Sequence, residues 1–193
     1  MRRMLKSTAA AAALSLLAGC QTTPSTKVSQ SAKPAPVSHD LPYRWTQGVA
    51  PQAYKDMVAT FGRTGLKPGE YLWASSIPKD GDPHIVIDLL TQMAYVYRGD
   101  TLVGAATISS ARQGHITPLG EWSILEKRPF YRSRKYENAP MPFMQRIDEY
   151  GIAFHGGVNP GYPASHGCIR LPMKFAEKLY GVTKIGTKVV IEG

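Results

Sequence analysis

The sequence predicts a mainly β domain with one helix packed against it. Three observations predict this. Runs of β-branched and aromatic residues of strand length recur from His84 to the C-terminus, separated by turn residues. Strands and helices do not alternate, so no βαβ unit is signalled. Within that stretch only residues 172–180 place their apolar side chains at helical spacing.

The elements follow in order. Residues 51–61 suit a short helix: Pro51 fits the first turn, and Tyr54, Met57, Val58 and Phe61 share a face. The Pro68-Gly69 step makes a turn, 71–74 a strand, and Asp80-Gly81-Asp82-Pro83 another turn. Residues 41–82 thus read as a lead-in with no chemistry of their own. Strands are expected at 85–89 and 92–97, joined through Leu90-Thr91. Arg98-Gly99-Asp100-Thr101 turns the chain into a strand at 102–108. Thr117-Pro118-Leu119-Gly120 leads into 121–125, and 151–155 is a strand with His155 at its end. The helix 172–180 starts at Pro172, has Phe175, Ala176, Leu179 and Tyr180 on one side, and has Gly181 at its C-cap. A last strand covers 186–191. The expected sheet is mostly antiparallel.

The chain has 193 residues and two cysteines, Cys20 and Cys168. Arg2, Arg3 and Lys6 form a basic start, and 9–17 is an apolar run too short to span a bilayer. Leu17-Ala18-Gly19-Cys20 then resembles a bacterial lipobox. The resemblance implies a signal peptide at 1–19 and lipidation of Cys20, with several acyl chains for firm anchoring. Gln21 follows in place of the aspartate that resembles an inner-membrane retention signal. The implied location is the periplasmic side of the outer membrane. Residues 20–40 are Ser/Thr/Pro/Lys/Ala-rich and read as a flexible tether. Removing the three basic residues of the leader lowers the net charge from +9 to +6. That charge suits carboxylate-rich peptides or anionic envelope polymers. No nucleic-acid motif is present, so no nucleic-acid partner is expected.

Export implies an oxidising compartment, where an unpaired thiol is a liability unless it is used. Cys168 lies in Ser165-His166-Gly167-Cys168-Ile169-Arg170, with His155-Gly156-Gly157 upstream. This is the pattern of a nucleophilic thiol with a nearby base. A thiol of pKa about 8.5 is mostly protonated at neutral pH, and an imidazolium beside it favours the thiolate. Gly167 allows close backbone approach to an oxyanion. From the residues alone His166 is a base, a structural imidazole or a ligand. A metal set of His155, His166 and Cys168 is disfavoured, since no glutamate sits beside a histidine as base; neither metal nor cofactor is expected.

The segment 161–171, with His155-Gly156-Gly157 before it, resembles the active-site signature of the L,D-transpeptidase (YkuD-like) family. That signature is a histidine, then Ser/Thr-His-Gly-Cys, a hydrophobic residue and Asn or Arg. The resemblance covers 83–193, including 114–120 and the closing strand. It implies a β-sandwich catalytic domain with one helix packed beside the active site. It implies Cys168 as nucleophile and His155 as general base. Gly156 stands where some members have serine, so a backbone carbonyl would orient the imidazole. The amides around His166, Gly167 and Cys168 would form the oxyanion hole, with Ser165 and Arg170 fixing the loop. The family acts on peptidoglycan stem peptides. The implied reaction attacks the third-residue carbonyl of a tetrapeptide stem and expels D-alanine. The acyl group then passes to another stem, giving a 3→3 cross-link, or to a lysine of an envelope protein. Water as acceptor would make an L,D-carboxypeptidase or amidase. A non-catalytic peptidoglycan-binding envelope protein is the alternative of another class.

Tyr131, Met144, Arg146 and Tyr162 are candidate cleft residues. Met and aromatic side chains suit adaptable surfaces, and Arg146 suits a carboxylate clamp, with ordinary packing an equal reading. Tyr136 is a cleft wall or a core edge, and His115 is read as bracing a turn.

Overall fold

The apolar runs after residue 82 form the centre of a six-stranded sheet. The computed structural model describes residues 48–193; the expected signal peptide at 1–19, the expected tether at 20–40 and Cys20 lie outside them. Helix α1 spans Ala50–Phe61, β1 Tyr71–Trp73, β2 Pro83–Asp88, β3 Met93–Arg98 and β4 Thr101–Thr107. Then come β5 Gly120–Ser123, β6 Glu126–Arg128, β7 Met144–Arg146, β8 Ala153–Gly156 and β9 Ile169–Leu171. Helix α2, Met173–Val182, and β10, Lys188–Glu192, complete the chain. The first sheet has the order β1-β4-β3-β2-β10-β5 and the second the order β6-β7-β8-β9. The architecture is mainly β, as expected, with two sheets and two helices.

Side chains alternate across a strand, so a sheet covered on both faces reads as continuous apolar sequence. Ile85, Ile87, Ala94 and Val96 face the main core, together with Phe154 and Ile169 of the second sheet and Phe175 and Leu179 of α2. Val86, Tyr95, Tyr97 and Ala105 face the other way, onto Ala50, Ala53 and Met57 of α1. Burying a side chain such as Met57 or Phe175 contributes on the order of 1.5–3 kcal/mol.

The lead-in is knitted into this scaffold. Strand β1 pairs with β4, Tyr71 opposite Ala106. Its aromatics reach α2: the Trp73 ring meets Phe175 edge-on at 5.5 Å. The Glu192 carboxylate accepts the amides of Val49 (3.0 Å) and Ala50 (2.8 Å). It thereby caps the positive end of α1.

Three details differ from the sequence reading. Two pairings are parallel, β2 with β10 and β8 with β9. The segment around Met144, to which the sequence reading assigns no element, is a strand, β7. Gly181 lies inside α2, whose C-cap is Thr183 in extended conformation. The free carbonyls at that end are met instead by Lys127 Nζ, which donates to Tyr180 O (2.7 Å) and Thr183 O (2.5 Å). No left-handed glycine is then needed.

Candidate active site

Strands β8 and β9 run parallel, with Phe154 opposite Ile169 and His155 opposite Arg170. Phe154 and Ile169 enter the core. Alternation therefore turns Ala153, His155, Cys168 and Arg170 to the opposite face. There they line a cleft of about 720 Å³. Cys168 is half-buried and packs on a small apolar cluster of Met141, Met144, Ala153 and Tyr131.

The segment before β5 grips the nucleophile loop. Ser109 and Arg170 exchange two backbone bonds of 3.0 Å, and Ser165 N donates to Ser110 O at 2.9 Å. The Ser165 hydroxyl is fully buried; it donates to the Cys168 carbonyl (2.5 Å) and accepts the Gly167 amide (3.0 Å). The Thr117 hydroxyl donates to the Gly167 carbonyl at 2.7 Å. Gly167 has φ +133°, and a Cβ there would stand 2.4 Å from Ile152 Cδ1 and 3.0 Å from Ile116 O. Only glycine fits this conformation and space. The engaged Gly167 amide corrects one expectation: it braces the loop and does not face an oxyanion. Among the described residues, the amides of His166 and Cys168 have no hydrogen-bond partner and remain as donors.

The buried His155 ring meets the Gly156 carbonyl through Nδ1 at 3.0 Å. A carbonyl only accepts, so Nδ1 carries the proton and Nε2 the lone pair. Burial lowers the His155 pKa, opposed by the Gly156 bond and reinforced by Arg170. Burial raises the Cys168 pKa, as does the charge of Asp148, while the Ala153 amide and Arg170 pull it down. Both shifts favour the neutral forms. These directions run against the thiolate–imidazolium pair expected from sequence. The thiol itself donates to the Gly151 carbonyl, 3.7 Å away.

His166 belongs to a different cluster. Its ring stacks on Tyr136 (centroids 4.4 Å) and meets His115 edge-on (4.7 Å). Arg112 Nη2 lies 2.7 Å from His166 Nε2, and since a guanidinium only donates, this nitrogen accepts. Desolvation, then the charges of Arg112, His115 and Arg170, lower its pKa. Tyr136 belongs to the excursion 129–143 between β6 and β7, which forms one wall of the cleft.

Of the candidate cleft residues, Tyr131, Met144 and Arg146 line the cavity. Tyr162 does not; its side chain is in solvent, and its carbonyl accepts the Ser109 hydroxyl at 2.8 Å. Arg146 is already engaged: Nε donates to Glu126 (2.9 Å) and Nη1 to the Asp148 carbonyl (2.7 Å). The clamp reading of Arg146 is thereby replaced by a bracing one. Arg170 stretches along Gly157, whose added Cβ would lie 3.4 Å from its chain. Thr117, Arg112 and Asp148 were not singled out from sequence. Thr117 lies within the 114–120 match, which was the available signal. Among the described residues, no three His, Cys, Asp or Glu side chains are grouped to hold a metal ion.

A profile of the YkuD family, the L,D-transpeptidase catalytic domain, matches residues 82–191. A Bacillus subtilis (strain 168) protein that carries the L,D-transpeptidase name, YqjB, is 26% identical, across 59% of this chain and 73% of its own. The crystal structure of an L,D-transpeptidase from Stackebrandtia nassauensis superposes with a TM-score of 0.55 at 23% identity, covering 72% of this chain and 65% of that one. One from Mycobacterium tuberculosis H37Rv gives 0.54 at 21% identity, covering 57% and 58%. This chain thus spans about two thirds or less of those two structures, and at these identities they show the shared fold.

Proposed function

Because the chain belongs to the YkuD family of L,D-transpeptidase catalytic domains, we propose that it is a cysteine acyltransferase of peptidoglycan stem peptides. One observation carries this reading. Cys168 and His155 come from neighbouring parallel strands into one cleft, with the imidazole tautomer set by Gly156.

The third-residue carbonyl of a tetrapeptide stem meets Cys168 Sγ. His155 Nε2 takes the thiol proton as the C–S bond forms. The oxyanion meets the open amides of His166 and Cys168, each worth a few kcal/mol in the transition state. Collapse breaks the C–N bond to the terminal D-alanine, whose amine takes the proton from His155. An acceptor amine then attacks the thioester, gives its proton to His155 and releases the thiol. The acceptor is an amine of another stem, giving a 3→3 cross-link, or a lysine of an envelope protein. The apolar wall of Tyr131, Met141 and Met144 supports an amine over water, since it shields the thioester.

The test is the purified protein with disaccharide-tetrapeptide, products read by mass. Dimer formation with loss of D-alanine is expected, and Cys168→Ala should abolish it. Loss of D-alanine alone would make water the acceptor. Unchanged mass would remove the enzymatic reading.

The location is proposed on the leader alone. Residues 1–19, Cys20 and Gln21 support a lipid anchor facing the periplasm from the outer membrane. Palmitate should label the full-length protein and not Cys20→Ser.

A further inference from the structure

Beside the thiol stands a buried carboxylate that the acyl-transfer steps leave unused. Asp148 is 5% exposed. Its Oδ1 accepts the amides of Tyr150 (3.0 Å) and Ile152 (2.7 Å), so its partners are backbone groups and not a cation. Arg146 reaches only the Asp148 backbone carbonyl. A further bond from Ile147 N to Ile152 O, 2.9 Å, closes the base of the turn. Gly151 sits at its tip with φ +96°, a conformation that favours glycine. The Gly151 carbonyl is the group that receives the Cys168 thiol.

We propose that Asp148 is a positioning residue for the nucleophile: it shapes the 148–152 turn that offers the Gly151 carbonyl to the thiol, and the negative charge of its carboxylate keeps that thiol protonated between turnovers. The inference rests on the reading of Cys168 as nucleophile. The ionisable groups around the thiol come from each element packed there. His155 comes from β8, Arg170 from β9 and Tyr131 from the excursion, and Asp148 acts on the thiol from the turn through its charge. Glu149 and Arg146 line the same cleft further along. Asp148 and burial oppose the thiolate, and Arg170 with the Ala153 amide favours it. A carboxylate placed here keeps the sulfur in its unreactive form until His155 takes the proton during attack. A protonated thiol is a poor target for oxidants and alkylating agents.

The experiment measures the pH dependence of Cys168 alkylation by iodoacetamide in the full chain. A Cys20→Ser background leaves one thiol. Asp148→Asn keeps an oxygen that accepts both amides and removes the charge. Its alkylation midpoint should move to lower pH, with about tenfold faster alkylation at pH 7 for each unit moved. A merely structural role leaves the midpoint unmoved, and an unmoved or raised midpoint overturns the proposal. Asp148→Ser, whose hydroxyl also accepts an amide, gives the same readout where the Asn variant does not fold. Alkylation needs no substrate, so the reaction is judged separately by wild-type turnover of the tetrapeptide. A lowered midpoint without turnover upholds Asp148 and removes the reaction. Turnover with an unmoved midpoint upholds the reaction and removes Asp148.

Discussion

The amide of Gly167 donates to the hydroxyl of Ser165 at 3.0 Å, and the same hydroxyl donates to the Cys168 carbonyl. One buried oxygen therefore ties the peptide group before Gly167 to the one that follows Cys168. Ser165→Ala leaves a buried amide and a buried carbonyl without partners, at a cost of about 1–3 kcal/mol. We expect a lowered unfolding temperature together with a fall in kcat on the tetrapeptide. An unchanged unfolding temperature would mean that the loop is held by Thr117 and the Ser109–Arg170 bridge alone.

The state of the thiol makes a prediction about pH. Burial holds the His155 pKa below its usual 6.5, which favours the unprotonated base. Burial and Asp148 hold Cys168 above its ordinary value, so the thiolate gathers only in alkaline solution. The kcat/KM for acylation should rise with pH through the lowered His155 value and then stay level across neutrality. Thiolate ultraviolet absorbance should be absent at pH 7. Strong absorbance at pH 7 would establish an ion pair and contradict this account.

What could be read from sequence depended on how local the cause is. The strands 85–89, 92–97 and 102–108 were legible because a sheet covered on both faces needs unbroken runs of β-branched and aromatic residues. The parallel pairing of β2 with β10 was not, because the partners lie a hundred residues apart and no local pattern names them. The end of α2 was misplaced at Gly181 because its carbonyls are met by Lys127, from a distant strand. In the site, the loop 165–170 and His155 stood out through residue types and spacing. Arg146 and Gly167 were assigned the wrong partners, because Glu126 and the Ser165 hydroxyl reach them only in the fold. The upward push on the Cys168 pKa comes first from burial, in the cluster with Met141, Met144 and Tyr131 that tertiary packing creates.

Arg146 supplies a contrast between bracing and binding. Its guanidinium joins Glu126, which also accepts Arg128 at 2.6 Å, and the two arginines together lower the Glu126 pKa. Arg146→Ala should cost about 1–3 kcal/mol in urea unfolding, since hydrogen bonds to charged groups are lost. The tetrapeptide KM should change by less than about threefold. A large rise in KM at unchanged stability would restore the carboxylate clamp.

The two histidines are predicted to separate cleanly. His155 has its proton on Nδ1, held by Gly156, and a lone pair on Nε2 inside the cleft with Cys168. His166 has its Nε2 engaged by Arg112 and its faces engaged by Tyr136 and His115. Only the first has a nitrogen available to take a proton from sulfur. His155→Gln should slow thioester formation by about 10²–10⁴-fold, the usual contribution of a general base. His166→Gln loses one stacked face and one hydrogen bond and should slow it far less. Acylation followed by the mass of the thioester decides, because it isolates the first chemical step from acceptor binding. If His166→Gln proves the more damaging variant while His155→Gln still acylates, the base has been assigned to the wrong ring.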